Sequence, residues 1–373
     1  LGHHTGDFLL KEVAGRLKTC VRDADTISRQ GGDQFIILLS DIHEANEVAI
    51  VAQKILEIFK NPFLMDGDSI KISASLGIVL FPKDGNDLSQ LLQYADTAMY
   101  HAKDSGGNGY QFFNEAMAAS SKERLHILNH IRQALGFNQF KLYYQSQVDT
   151  ITRKIIACEA LIRWETPDGF IPPGKFIPVA ENSGIILEID AWVVDAACHQ
   201  AKIWQDAGAP LVVAVNISAS QFKRGNIIEL VSTALERHQL DPSLLEIELT
   251  ESILIHDTET IRQVLSQLKQ LGIKLSIDDF GTGYSNLSYL RMLHLDKIKI
   301  DQSFITHMTI NENDKVIVRS TIDLAHNLGL KVIAEGVETA SAVELLEEFG
   351  CDQLQGYHFG KPMPPELFVN FTK

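Results

Sequence analysis

From Lys141 to its end the chain alternates apolar, strand-like runs with amphipathic helical stretches, and this alternation restricts the possible folds more than any other feature. Strands are expected at Lys141–Val148, Ile155–Trp164, Leu211–Ile217, Leu244–Thr250, Ile273–Asp279, Leu295–Ile300, Leu330–Glu335 and Cys351–Phe359. Runs such as Leu211-Val212-Val213-Ala214-Val215 are apolar on both faces, as barrel strands are when helices cover them outside and side chains fill them within. Eight such strands over about 240 residues predict a TIM-like (β/α)8 barrel. The link from the first strand to the second, Asp149-Thr150-Ile151-Thr152-Arg153, is hairpin-length and too short for a crossover helix. One strand is therefore expected to run antiparallel, giving one antiparallel pair.

The ends of these strands carry oxygen ligands. Glu159 lies inside the second strand, Asn216 near the end of the third, and Glu248 near the end of the fourth, just before Thr250-Glu251. Asp278 and Asp279 close the fifth, Lys299 and Asp301 the sixth, and Glu335 the seventh. Any one of them alone reads as a solvated strand end or a helix cap. Five strands, the second to the fifth and the seventh, that deliver such groups to the same end describe a polar pit at one barrel mouth, where hard divalent cations bind. The set suits two ions, with one carboxylate between them, and the scarcity of His at strand ends argues against zinc. Paired hard metals serve in-line phosphoryl displacement. Lys299 adds a positive charge that an apolar strand does not need, suited to orienting water or neutralising a transition-state phosphate. The glycines of Asp278-Asp279-Phe280-Gly281-Thr282-Gly283-Tyr284-Ser285 permit unusual dihedrals beside the metals, but the string lacks the Gly-Lys-Ser/Thr of a P-loop. It reads as a mobile loop that couples the metal site to another subunit.

At 373 residues the chain is long enough for two or three domains. A net charge of −15 argues against wrapping duplex nucleic acid, whereas a small anion fits where metal ions and a few Arg or Lys residues reverse the local sign. Cys20, Cys158, Cys198 and Cys351 form no C-x-x-C pair, so neither a zinc site nor a disulfide framework is indicated and a cytoplasmic setting is expected. No apolar run approaches the roughly 20 residues that span a bilayer. Residues 1–116 read as a smaller α+β domain: a helix at Asp7–Lys18, a hairpin at Asp25–Ser40, a helix at Asn46–Lys60, a strand at Ile70–Leu80 and a helix at Asp87–Lys103. The abrupt start at Leu1-Gly2-His3-His4 predicts that this domain is N-terminally incomplete. Residues 117–135 read as a connecting helix, unbroken because its flanks hold few Gly or Pro, and the second module takes up the chain from 122 to 373.

The strings Glu159-Ala160-Leu161-Ile162-Arg163-Trp164, Val215-Asn216-Ile217-Ser218, Glu248-Leu249-Thr250-Glu251, Asp278 to Ser285, Lys299-Ile300-Asp301, Glu335-Gly336-Val337-Glu338 and Gln355-Gly356-Tyr357 resemble the EAL domain, the cyclic-di-GMP phosphodiesterase family. The resemblance implies hydrolysis of cyclic di-GMP to linear pGpG with two Mg²⁺ or Mn²⁺ ions. By it, Glu159, Asn216, Glu248 and Asp278 bind one metal and Asp278, Asp279 and Glu335 the other. Lys299 and Glu335 activate water, Glu251 braces the Asp279 loop, and Gln145, Leu161, Arg163, Asp301, Gln355 and Pro362 line the substrate. A homodimer through this domain is also implied. Ser146 stands where a proline is common, a departure expected to matter little.

The first module resembles the GGDEF domain, the diguanylate cyclase family, through Gly31-Gly32-Asp33-Gln34-Phe35 and Ala95-Asp96-x-Ala98-Met99-Tyr100-x-Ala102-Lys103. Gln34 replaces the signature's Glu, and the early strand with its metal aspartate is absent, so cyclase activity is not expected. A regulatory module, with GTP as a candidate ligand, is expected instead. Arg22 and Asp25, ahead of Gly31, match the family's inhibitory-site motif for cyclic di-GMP. The competing expectation for the whole is a catalytically inactive cyclic-di-GMP receptor, but such a protein typically lacks several metal positions, and none is missing here.

Overall fold

The computed structural model describes residues 3–371 except 43, 66–67, 168, 252, 254–257 and 282–292. The chain divides into two compact units, Leu1–Leu125 and His126–Lys373.

The first unit contains α1 (His3–Lys18), the antiparallel hairpin β1 (Thr26–Gly31) and β2 (Gln34–Leu38), α2 (Ala45–Lys60), β3 (Phe63–Met65), β4 (Asp68–Ile70), β5 (Leu76–Ile78), α3 (Leu88–Asp104) and β6 (Tyr110–Phe112). The amphipathic period of α2 buries Val48, Ala52, Ile55, Leu56 and Phe59 on one face. The strand expected at Ile70–Leu80 is two short strands in separate sheets: β4 pairs antiparallel with β3, and β5 parallel with β6. β5 packs tightly on α3, because a Cβ on Gly77 would meet the Ala95 carbonyl oxygen at 1.9 Å. Only glycine lets β5 lie so near α3. After β6, helix α4 (Glu115–Gly136) runs without a break through residues 119–121.

In the second unit, eight strands close a barrel: β7 (Phe140–Asp149), β8 (Ile155–Thr166), β10 (Val212–Asn216), β11 (Leu245–Thr250), β12 (Lys274–Phe280), β13 (Lys297–Ile300), β14 (Lys331–Ala334) and β15 (Gln353–Gln355). A short β9 (Gly169–Ile171) extends the sheet beside β8, and the β10–β8 pairing completes the ring. The TIM-like barrel read from the sequence is present. Among the described strands of the ring, β7 is the reversed one: it is antiparallel to both β8 and β15, so a closed ring gives it two antiparallel pairs where the hairpin link alone suggested one. The eighth strand is also shorter than expected. After Gln355 the chain turns away, with the Phe359 amide donating to the Gly356 carbonyl.

Alternation along each strand separates two environments. On β13, Ile298 and Ile300 join the apolar core, and Lys297 and Lys299, also fully enclosed, bond to groups inside the ring. Helices α5 (Pro173–Ser183), α6 (Ile186–Asp206), α7 (Ala219–Arg224), α8 (Ile227–His238), α9 (Thr258–Gln270), α10 (Gln302–His307), α11 (Glu312–Asn327) and α12 (Ala340–Glu348) follow the strands, with α13 (Pro365–Phe371) after β15. Several start at a side-chain cap just after a ligand-bearing strand. Ser218 caps α7 through the Gln221 amide, Asp301 caps α10 through Ser303, and Thr339 caps α12 through Ala342. The caps fix where each strand stops, and so the height at which its last side chain enters the barrel mouth.

Two tight backbone contacts hold the loops after β14 and β15. At Gly356 a Cβ would stand 2.1 Å from the Val337 carbonyl oxygen and 2.3 Å from its nitrogen. Gly356→Ala is expected to destabilise the fold by about 1–3 kcal/mol or more, since the obstruction is backbone and has no rotamer to retreat to. Urea unfolding measures it, and an unchanged midpoint would contradict the packing described.

Candidate metal centre

The centre of the barrel mouth is Lys299, wholly buried on β13. Its Nζ lies 2.6 Å from Glu248 Oε2, 2.6 Å from Glu335 Oε1, 3.0 Å from Asp278 Oδ1 and 3.8 Å from Glu159 Oε1. Carboxylates from β8, β11, β12 and the end of β14 thus converge on one ammonium. Burial works against the lysine's charge, but Glu159, Glu248, Glu335 and Asp278 together hold its pKa well above the usual lysine value. The acids are in surplus. Burial and neighbouring carboxylates drive Glu248 well up, Glu335 up to about 8 and Asp279 up to about 6, despite the opposing effect of Lys299 on each.

Asp278 and Asp279 are consecutive, so in a regular strand they would face opposite sides of the sheet. Two local features bring both to the mouth. Asp279 has φ of 55°, in the left-handed region, and the β12–β13 register shifts between Ile277 and Phe280. As a result Asp278, Asp279 and Glu335 offer ligand atoms within 4.8 Å of one another. The turn is held from β11: Glu251, buried at the strand end, accepts from the Gly281 amide at 3.0 Å. A left-handed aspartate costs on the order of 1 kcal/mol or more, which the clasp offsets.

Asn216, at the end of β10, donates from Nδ2 to Glu159 Oε1 at 2.6 Å. Gln355 donates from Nε2 to Glu159 Oε2 at 2.5 Å and to Gln145 Oε1 at 3.2 Å, and Gln145 donates to the Gly360 carbonyl at 3.1 Å. The structure therefore brings Glu159, Asn216, Glu248, Asp278, Asp279, Lys299, Glu335, Gln145 and Gln355 into one connected cluster, with Glu251 beneath its turn. Leu161 and Arg163 follow Glu159 at the inward-facing spacing of two along β8, and Arg163 lies over the Tyr143 ring at 5.7 Å. Asp301 caps α10 through the Ser303 amide and also touches Asp279. Pro362 precedes Met363, which bridges to Tyr144 on β7. The loop residues Thr282–Ser285, read as a coupling element, lie outside the described residues.

A hard divalent cation fits this donor set. The carboxylates outnumber the cationic groups among them, and Glu248 Oε1 is buried with no hydrogen-bond partner, a costly state for a carboxylate oxygen unless a cation meets it. Among the described residues, Asp278, Asp279 and Glu335 are the group whose ligand atoms lie close enough together to hold an ion.

In the first unit, Gly31, Gly32, Asp33, Gln34 and Phe35 form the tip and return of the β1–β2 hairpin. Gly32 has φ of 53°, and Arg29 donates from Nε and Nη2 to its carbonyl. Asp25 Oδ2 accepts from the Arg22 amide at 2.8 Å and Oδ1 from the Ser40 amide at 3.0 Å, and these bonds hold its carboxyl below the usual range. Asp25 is thereby tied into the hairpin base.

Some site groups escaped the sequence reading. Glu246, Lys297 and Gln147 lie inside the barrel beneath the mouth, each two residues from a residue already singled out. That period-two spacing was the available signal. Asp190, buried on α6, accepts from the Ser218 amide and hydroxyl just past Asn216, and burial pushes its carboxyl up to about 7. No sequence pattern marks it.

Residues 128–362 match the family model of the EAL domain, and residues 1–109 that of the diguanylate cyclase, GGDEF domain. The chain is 45% identical over 370 residues to the bifunctional diguanylate cyclase/cyclic di-GMP phosphodiesterase MucR of Pseudomonas aeruginosa, covering 99% of this chain and 54% of that protein. It is 39% identical over 375 residues to the cyclic di-GMP phosphodiesterase NbdA of the same species, covering 100% of this chain and 48% of that protein. The chain thus spans about half the length of these curated relatives. A solved structure of the PaMucR phosphodiesterase in complex with c-di-GMP is 44% identical, with a TM-score of 0.64 over 65% of this chain and 99% of that one.

The raised carboxyls predict a pH dependence. The unfolded chain ionises Asp279 and Glu335 near their ordinary values of 3.8 and 4.5, while the folded chain holds their protons up to about 6 and about 8. Folded-state stability from these groups is therefore fullest below the unfolded values and is lost as pH rises through the folded ones. The metal-free protein is expected to melt at progressively lower temperature from about pH 4 to about pH 8, and saturating Mn²⁺ to raise the melting temperature most at the upper end. Scanning calorimetry with and without Mn²⁺ checks this, and a shift independent of pH would contradict it.

Proposed function

This chain belongs to the EAL domain family and carries a GGDEF-family domain ahead of its barrel, and we propose that it hydrolyses cyclic di-GMP at one phosphodiester to linear pGpG, with two Mg²⁺ or Mn²⁺ ions. The observation that carries this reading is the convergence of Glu159, Glu248, Asp278 and Glu335 on Lys299, with Asp279 added at the mouth. The similar structure that holds c-di-GMP and the relatives named as phosphodiesterases support the choice of substrate.

When bound, the ions supply Lewis-acid polarisation of the phosphodiester and acidify the attacking water. The chain's own residues do the rest. Lys299, fixed by four carboxylates, is a preorganised positive charge for the equatorial oxygens of the transition state and orients the water. Glu335, beside it, takes up the water's proton. Glu251 keeps the Asp279 turn in register through the Gly281 amide. Arg163 supplies donors to the phosphate, Gln145, Gln355 and Asp301 line the site with further polar groups, and Leu161 and Pro362 with apolar ones. The first unit acts in regulation: Gln34 puts a neutral amide where a cyclase signature has an acid, which supports nucleotide binding without synthesis.

The decisive measurement is incubation with cyclic di-GMP and Mg²⁺ or Mn²⁺, with nucleotides separated by chromatography. Linear pGpG is expected over many turnovers; cyclic di-GMP binding without product would replace the enzyme by a receptor. Glu159→Ala should lower kcat/KM by at least about 100-fold, since even outer-shell partners of a metal are worth 10–100-fold. An active variant would remove Glu159 from the ligand set.

GTP added to the same assay is expected to change turnover. An unchanged rate together with no heat of GTP binding would reduce the first unit to a structural role.

A further inference from the structure

Beneath the mouth, the barrel core holds a chain of polar side chains that runs in one direction. Lys297 Nζ, buried on β13 two residues before Lys299, donates to Glu246 Oε2 at 3.0 Å and to Gln147 Oε1 at 3.3 Å. Gln147 Nε2 donates to Gln355 Oε1 at 2.9 Å, and Gln355 Nε2 donates to Glu159 Oε2 at 2.5 Å. An ammonium can only donate and an ionised carboxylate can only accept, so the two ends fix which way each amide between them points. With Lys297 against Oε1 of Gln147, the Gln147 NH₂ must face Gln355, and the Gln355 NH₂ must face Glu159. Either amide turned over would set oxygen against oxygen.

A buried ion pair such as Lys297–Glu246 is not an efficient source of stability, because desolvation offsets much of its attraction and apolar residues of similar volume do as well or better. Its position at the start of a chain that ends on Glu159 gives it another use. We infer that Lys297 and Gln147 are positioning residues that set the amide of Gln355 so that it donates to Glu159 and holds that carboxylate in its metal-binding orientation. This rests on the reading of Glu159 as a metal ligand and is independent of which substrate the site takes.

Gln147→Glu keeps the shape of the side chain and reverses the polarity of the chain. A carboxylate at 147 accepts from Lys297 and can only accept from Gln355, whose amide must then turn its NH₂ down and its oxygen towards Glu159. Charge alone predicts the opposite effect on a cation, because one more negative group in the barrel should tighten binding. The experiment is titration of Mn²⁺, without nucleotide, into the metal-free full chain, followed by calorimetry or by the electron paramagnetic resonance signal of free Mn²⁺. Gln147→Glu is expected to weaken Mn²⁺ binding by about 10-fold or more, the range seen when partners of a ligand are lost. Gln147→Leu, which breaks the chain without reversing it, should weaken binding by a smaller factor.

A second variant covers loss of folding. Lys297→Met combined with Glu246→Met removes both buried charges together, so it should melt at or above the wild-type temperature while binding Mn²⁺ more weakly, because Gln147 is no longer held. Wild-type or tighter Mn²⁺ affinity in Gln147→Glu, or wild-type affinity in the folded double variant, would overturn the assignment. So would a wild-type chain that binds no Mn²⁺. Since the titrations contain no nucleotide, failure of the phosphodiesterase reading would appear in the turnover assay alone and leave this comparison intact.

Discussion

The ammonium of Lys299 among four carboxylates is the interaction on which the rest of the site depends. It ties β8, β11, β12 and the end of β14 to β13 at one level of the barrel, and it does so out of water. Two unit charges about 4 Å apart interact by about 4 kcal/mol at an effective dielectric of about 20, so the repulsions among several clustered acids rival what one cation can offset. Burial first, and that shortfall beside it, raise the carboxyl pKa values of Glu248, Glu335 and Asp279. A pocket built this way is stable as a partly protonated site or as a cation-filled one, and charge balance ties its ionisation to metal binding.

A barrel interior so polar has to draw stability from elsewhere. Here the outward faces supply it: Val213, Val215, Ile247, Leu249, Ile277, Ile298, Ile300 and Val332 all belong to one buried cluster with the surrounding helices. Strand alternation therefore divides the work, with packing on one face of each strand and chemistry on the other. The division also protects register. A slip of one residue in β13 would bury Ile298 among the carboxylates and push Lys297 and Lys299 into the apolar layer, each a penalty of several kcal/mol, so the site's own charges help to specify the strand pairing that creates it.

What the sequence revealed, and what it concealed, follows from the same division. The barrel was legible because its outer positions are apolar and its strand spacing regular, and the mouth residues because oxygen-bearing side chains on five strands stand out from that background. The second antiparallel pair of β7 was not, since a short link reports on one neighbour and ring closure supplies the other. The left-handed turn at Asp279 was hidden as well: two adjacent aspartates read as opposite faces until a register shift and the Glu251 clasp turn both inward. Glu246, Gln147 and Lys297 were hidden because a lone polar residue in an apolar strand reads as a solvated position, although Glu246 with Glu248 and Lys297 with Lys299 repeat the period of two in charge.

The two units also differ in how their polar groups are engaged, and that difference bears on where chemistry resides. In the first unit, Asp25 has both oxygens on backbone amides at the base of the hairpin and Arg29 closes on the carbonyl of Gly32 at its turn, so these groups are satisfied by local structure. In the barrel the acids come from strands far apart in sequence, share one lysine and leave Glu248 Oε1 without a partner. Local satisfaction stabilises a turn whatever else binds there. Long-range convergence of under-neutralised carboxylates stabilises nothing by itself and persists only where the surrounding fold enforces it, which is the arrangement expected of a site that completes its electrostatics with a bound cation.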